Sequence, residues 1–544
     1  MLISTLLSLA APFLAPQQEI RQWMEVVPGV GAFERHSLHP GQGQGALSNR
    51  SALVSAPRWQ LLDQGALWIG GPVDIGDNGA SVLTSHYLNN EGLALHATGS
   101  ANPIFELSTL DSGTPQVAVA DRAPFAASMV VRDLGGQNYE AVVEGYTTFE
   151  SGAPTFQYTF PASGSNSAGG VAMSDAGDVV LTWKSNANTA LLEIEAFDNY
   201  GSPISSGSLQ SNGSYSSRQT RLSDDGSRAY FFVGTYVHIY EVATASVIHT
   251  HNVGASFDSH AFSGDGRSFA NGTFGSLSVY QEQGTNWVLR HRETFAGSTY
   301  ISHLDLDQDG NRCAFQLQRY SPAYDHIETG MIDVDAGQVL WSDSFDAPGT
   351  SVQLVCSGVQ TDDVGRTVVS SNWGDSLNQT PEVAAWDTRG NRQVEIDLDG
   401  SAFSLDLAPD GEVWAAGSKS VHANSFGNGG AVTAGDPAEQ VLHVLGLPKA
   451  GGQVQLQIAD GWSRARIGIS TELGASNTPF GVTDIDLNFL FSELRVSVPS
   501  GGLDLSLQVP PRPSLWGAPL HVQAIVRDAT GTLITNKVST RIVI

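Results

Sequence analysis

Short runs in which apolar and polar residues alternate recur along most of the chain. Each pair of runs is joined by a turn that carries Asp and Gly. The turns close at Gly79 in DIGDNGASVL, near Gly136 in VVRDLGGQNYEAVV, at Gly177 in VAMSDAGDVVLTW and at Gly226 in TRLSDDGSRAYFF. They close again at Gly266 in HAFSGDGRSFA, Gly310 in LDLDQDGNRCAF, Gly365 in VQTDDVGRTVV and Gly411 in LDLAPDGEVWAAG. Alternation with a period of two marks a half-buried strand, and Gly supplies the positive φ that a tight hairpin turn needs. Successive glycines lie 40 to 57 residues apart. A second strand-turn-strand follows in each unit, as in MIDVDAGQVLWSDS, VAAWDTRGNRQVEIDL and VHIYEVATASVIHT. Four short strands at this period predict a β-propeller. The turn count is eight; seven stays open because the Gly136 turn is the least regular. The last unit lacks outer strands of its own, and APRWQLLDQGALWIGG near the N-terminus is placed to supply them and close the ring, which removes open edges.

At AVTAGDPAEQ the pattern stops. VLHVLGL, GQVQLQIA, ARIGIST, IDLNFLFS, ELRVSVP, LDLSLQVP, LHVQAIVRD and KVSTRIVI then alternate between Gly and Pro turns. Seven or eight such strands predict a β-sandwich. The expected division is a signal peptide over 1–18, a linker over 19–45, an all-β propeller over 46–435 and a C-terminal β-sandwich over 436–544.

AFSGDGRSFA and DLAPDGEVWAAG resemble the strand-turn-strand of WD-repeat and related secreted propellers, and IDVDAGQVLW resembles the repeat of quinoprotein-like propellers. VPPRPSLWGAPLHVQAIVRDATGTLITNKVS resembles a small C-terminal domain of secreted planctomycete-type bacterial proteins, which implies export and surface display. The propeller resemblance implies a fold and leaves function open.

Composition narrows the partners. The net charge is −28, and Lys184, Lys419, Lys449 and Lys537 are the four lysines. So acidic a chain repels phosphate backbones and anionic lipid, which argues against nucleic-acid binding. Leu2 to Ala15 is apolar, too short to span a bilayer and of the length of a signal-peptide core, although no Lys or Arg precedes Arg21. We therefore expect a secreted, periplasmic or cell-surface protein without stable membrane insertion. The two cysteines, Cys313 and Cys356, fit either one disulfide or two buried thiols.

Asp305, Asp307 and Asp309 alternate into Gly310 and open like a calcium loop. Calcium wants six to eight hard oxygens, and the closing ligand is missing: Cys313 and Gln316 stand at the expected positions. An Asp-rich hairpin turn is the competing reading. Asp74, Asp305 and Asp406 share one repeat position, either lining the channel mouth to bind a cation or sugar hydroxyls, or bonding to backbone. His249 and His251 lie on one strand face, as zinc ligands or as packed imidazoles. Trp373, in SSNWGDSLNQTPE, sits in a polar loop long enough to rim the channel, either displayed to a carbohydrate or folded onto its own blade. There is no Gly-x-Ser-x-Gly elbow, and the vicinal disulfide that the quinoprotein resemblance implies is missing. The favoured reading is a binding propeller that takes a protein, peptide or glycan at the channel mouth. The alternative is a propeller enzyme: a hydrolase, lyase or quinoprotein-like oxidoreductase.

Overall fold

The computed structural model describes residues 58–63, 69–87, 92–108, 115–135, 138–150, 152–164, 169–186, 189–210, 215–254, 259–347, 354–375, 379–422, 429–438 and 440–544. The proposed signal peptide, the linker and Gly136 lie outside them.

Eight four-stranded antiparallel sheets follow one another along the chain. Seven are built from consecutive strands within 69–108, 116–164, 169–210, 215–252, 260–294, 299–346 and 356–396. The eighth takes three strands from 402–435, and its outermost strand is Trp59–Asp63 from the other end of the chain. That strand pairs with Gly430–Gly435, Trp59 opposite Ala434. Arg58 and Asp436, just beyond the paired segments, form a buried ion pair that locks the join. Eight blades are therefore present, and the amino-terminal segment supplies one strand of the eighth.

Cores lie between neighbouring blades. Leu181, Trp183 and Ile194 of blade 3 pack with Phe231 and Tyr240 of blade 4. Val369 and Val383 of blade 7 pack with Leu407 and Trp414 of blade 8. The junction of blades 8 and 1 is leaner: its buried cluster holds four Val, three Ala and Ile75.

Because strands alternate in direction, the first-to-second and third-to-fourth turns of every blade open on one face, and the remaining connections on the other. The Asp-Gly turns expected from the repeat all lie on the first face, with one correction. Blade 2 makes its inner turn at Asp121-Arg122-Ala123-Pro124, between Gln116–Val119 and Phe125–Asp133. No glycine was needed there, so the repeat was invisible. The second strand of blade 2 ends at Asp133 and the third begins at Asn138, so no first-to-second turn lies near position 136.

Outer edges are guarded. In six blades the pairing of third and fourth strands slips at the same place, at Leu95/His96, Ala196/Phe197, Ile239/Tyr240, Val279/Tyr280, Met331/Ile332 and Ala385/Trp386. A bulge there bends the last strand and blunts its unpaired edge.

Residues from Leu442 onward form nine strands rather than seven or eight. Three make one sheet, four another, and Leu473–Thr478 with Gly481–Ile485 a hairpin. Leu442, Leu456, Ile467, Leu505, Val522 and Val538 share the core between the two sheets. The cysteines are not bonded to each other: Cys313 is buried in the blade 6 core, and the Cys356 thiol donates to the Leu317 carbonyl at 3.4 Å. Burial pushes both thiols up, which makes them poor nucleophiles.

Candidate functional site

The channel has two unlike ends. At the turn face the innermost strand of each blade has one edge without a sheet partner, so its amides need other acceptors. Three repeat-position aspartates supply them, each reaching into the next blade. Asp406 accepts from Ile75 N at 2.7 Å, Asp305 from Thr361 N at 2.8 Å, and Asp74 from Val119 N. The backbone-bonded role is thus the one seen for Asp74, Asp305 and Asp406. Asp307 caps its own turn by accepting from Arg312 N at 3.0 Å, and Asp309 points to solvent. The three carboxylates of the calcium-like stretch are thereby sent in three directions. Among the described residues no three His, Cys, Asp or Glu side chains gather as a metal site.

Carboxylates crowd this mouth. Burial raises Asp305 to about 7 and Asp224 to about 7, and Asp363 to about 6, with neighbouring carboxylates adding to the rise at each. Asp74 is pushed well up by burial and by Asp406, with which it shares a hydrogen bond. Arg122, from the irregular blade 2 turn, lies across the mouth between Asp175 at 3.1 Å and Asp363 at 3.2 Å.

The opposite face is aromatic. Phe274 lies in the second connection of blade 5, Tyr300 begins the inner strand of blade 6, and Tyr320 follows the second strand of blade 6. Their ring centroids are 5.3 Å (Phe274–Tyr320), 6.3 Å (Phe274–Tyr300) and 6.2 Å (Tyr300–Tyr320) apart. Phe274 is 57% exposed and Tyr320 38%, with Tyr324 nearby in sequence at 41%. Backbone bonds hold the platform still: Gly275 N donates to Thr299 O at 3.0 Å, and Tyr320 N to Ser298 O at 2.9 Å. Sequence reasoning passed over these residues. The signal was present in NGTFGSL, AGSTYIS and QRYSPAYDH, single aromatics set among small residues at connections of one face.

Trp373 also sits on this face, but half-buried rather than displayed. Its ring packs on Phe403 of blade 8 at 5.5 Å, and the Lys419 ammonium lies 5.6 Å from its centroid. Its loop is pinned further by Glu382, which is fully buried, faces His422 Nδ1 at 3.2 Å and accepts from Leu398 N at 2.6 Å. His249 and His251 are packed imidazoles between blades 4 and 5: His249 stacks on Trp287 at 5.6 Å, and His251 packs at a tilt against Tyr280 at 4.4 Å.

No family model matches the chain, and no curated protein matches it. Solved structures do. Saccharomyces cerevisiae Sqt1 is similar at 11% identity and a TM-score of 0.50, over 70% of this chain and 98% of that one. A chain of the Mitotic Checkpoint Complex aligns at 12% identity and a TM-score of 0.41, over 75% of this chain and 99% of that one. The likeness to Sqt1 supports a WD-repeat-like propeller and extends to the fold alone.

Proposed function

We propose that this protein is an interaction propeller whose aromatic face takes a protein partner. The carrying observation is the Phe274–Tyr300–Tyr320 platform, in which Phe274 and Tyr320 are exposed over a half-buried Tyr300, anchored by backbone bonds and on the face opposite the C-terminal sheets. Exposed aromatics grouped on a fixed scaffold are the composition of binding hot spots. A net charge of −28 favours a partner with a basic surface, since complementary charge raises the association rate. Export to the cell surface belongs to the same reading and rests on the apolar Leu2–Ala15 run.

A photo-crosslinking residue at position 274, compared with one at Val482 on the C-terminal hairpin, tests the proposal. A protein adduct formed from 274 alone, and lost in Tyr300→Ala with Tyr320→Ala, is the expected outcome. Adducts of equal yield from both positions would remove the face from consideration. Retention on a glycan array that depends on Trp373 would move the site to the blade 7–8 rim and the ligand to a carbohydrate.

A further inference from the structure

Neighbouring blades are tied together at the turn face by a ring of backbone hydrogen bonds. Asn78 N donates to Asp121 O, Arg122 N to Asp175 O, Asp175 N to Asp224 O and Asp224 N to Gly264 O. Asp265 N then donates to Gln308 O, Gln308 N to Asp363 O, and Asp363 N to Pro409 O. These seven links join blade 1 to 2 and so on to blade 8. Among the described residues the eighth link, from blade 8 back to blade 1, is missing. At the position that donates in blades 3, 4, 6 and 7, blade 8 has Pro409, which has no N–H, and Asp410, at the position that donates in blades 1, 2 and 5, makes no such bond. The Asp77 carbonyl that would receive it is taken by Ala80 N within a tight turn. The same junction has the lean Val and Ala core.

Two cations from the last strand of the C-terminal sheets stand at this gap. Lys537 pairs with Asp410 in the turn of blade 8, and Arg541 pairs with Asp77 in the turn of blade 1. Both lie on Thr532–Arg541, so one strand holds both sides of the junction. The pairing is dry: the Asp77 side chain is 0% exposed and that of Arg541 8%. Thr148 Oγ1 also donates to Asp77 at 2.9 Å, and Arg541 also donates to Gly517 O. Further bonds spread the grip to blades 1 and 2: Gly446 N donates to Gly99 O at 2.9 Å and Ile544 N to Phe149 O at 3.2 Å.

We infer that the C-terminal domain is a clasp for the propeller, with Lys537 and Arg541 replacing across blades 8 and 1 the tie that Pro409 cannot make. The domain then does more than append a display module. It sets the opening free energy of the one junction without the backbone tie among the described residues, and the junction should open locally when the clasp is cut.

The test is native-state amide exchange on the full chain. In Lys537→Gln, protection of Ile75 N, which bonds across the junction, should fall by up to about fivefold, the change expected when a local opening equilibrium loses one partly exposed ion pair. Asp224 N and Gln308 N, at far junctions, should keep their protection. Asp410 is part-exposed, so its freed carboxylate rehydrates and the variant folds. Lys537→Arg should restore protection. An even loss at every junction would mean that the cations serve global stability, and unchanged protection at Ile75 would mean that the domain is a passenger; either overturns the clasp.

Discussion

Arg541 grips Asp77 across 464 residues of sequence, with two guanidinium nitrogens on the two oxygens of one fully buried carboxylate. A bidentate pair of this kind is geometrically demanding and leaves a costly charge if either side is lost. Arg541→Met should therefore destabilise by about 3–5 kcal/mol. Asp77→Asn keeps an acceptor for Arg541 and Thr148 and should cost less. The double variant should cost well under the sum of the two, because the second change removes no further pair. Chemical denaturation of the four proteins decides it; strict additivity would show that the two side chains do not act together.

The crowded mouth should make the protein lose stability as pH rises above neutral. Asp305 and Asp224 sit near 7 when folded and Glu412 near 8, all raised chiefly by burial. Unfolded, they titrate near 4. The folded state therefore holds protons that the unfolded state has released, and the stability they bring is lost as pH rises through 7 to 8. His86 and His96 are lowered to about 4 and His521 to about 3 by burial. These oppose the trend only below their unfolded value of about 6.5. Melting temperature is thus expected to fall between pH 6.5 and 8.5, and Asp224→Asn should flatten the slope. A flat or rising profile in the parent protein would contradict the buried-carboxyl account.

Asp305 separates a backbone cap from a metal ligand. As a cap for Thr361 N, its loss in Asp305→Ala leaves a buried amide unpaired and should cost about 1–3 kcal/mol. Asp305→Asn retains an acceptor oxygen and drops a charge that burial disfavours, so its cost should be small and smallest at high pH. Calcium should not raise the melting point of the parent more than that of Asp305→Asn. Were the stretch a calcium loop, the parent alone would gain about 2.7 kcal/mol at a hundred times the dissociation constant.

What could be read in advance follows from range. Alternation and Asp-Gly turns are local, so the propeller and its closure by an N-terminal segment were legible, whereas the stretch from Ala431 at which the repeat stops still holds the Gly430–Gly435 strand of blade 8. The blade 2 turn was not, because Asp121-Arg122-Ala123-Pro124 reaches the same geometry without positive φ. Asp305 and Asp406 were singled out as a repeat position, but their partners Thr361 and Ile75 are 56 and 331 residues away. Only the stacking of blades brings such pairs together. Trp373 leaves two readings in the sequence, a ring displayed by its polar loop or one folded onto its own blade. It is folded down by Phe403 and Lys419 of the next blade, which no inspection of its neighbours in sequence reveals.

The turn glycines carry a second constraint beyond the hairpin, and Gly310 is where it is most severe. Its φ is +68°, a conformation that costs a residue with a Cβ about 1–2 kcal/mol. Gly234, in the blade 4 hairpin, has the same backbone shape at φ +67° and open space around it. A Cβ on Gly310 would stand 2.3 Å from the Ser268 side chain, which is fully buried in the preceding blade. Gly234→Ala should thus cost only the conformational 1–2 kcal/mol or so. Gly310→Ala should cost about 1–3 kcal/mol more, because the blade 5–6 junction must part to admit the methyl group. Urea midpoints of the two variants give the comparison. Equal losses would mean that the repeat keeps Gly for the turn alone, and that close packing of one blade's turn on the last plays no part in the spacing of the ring.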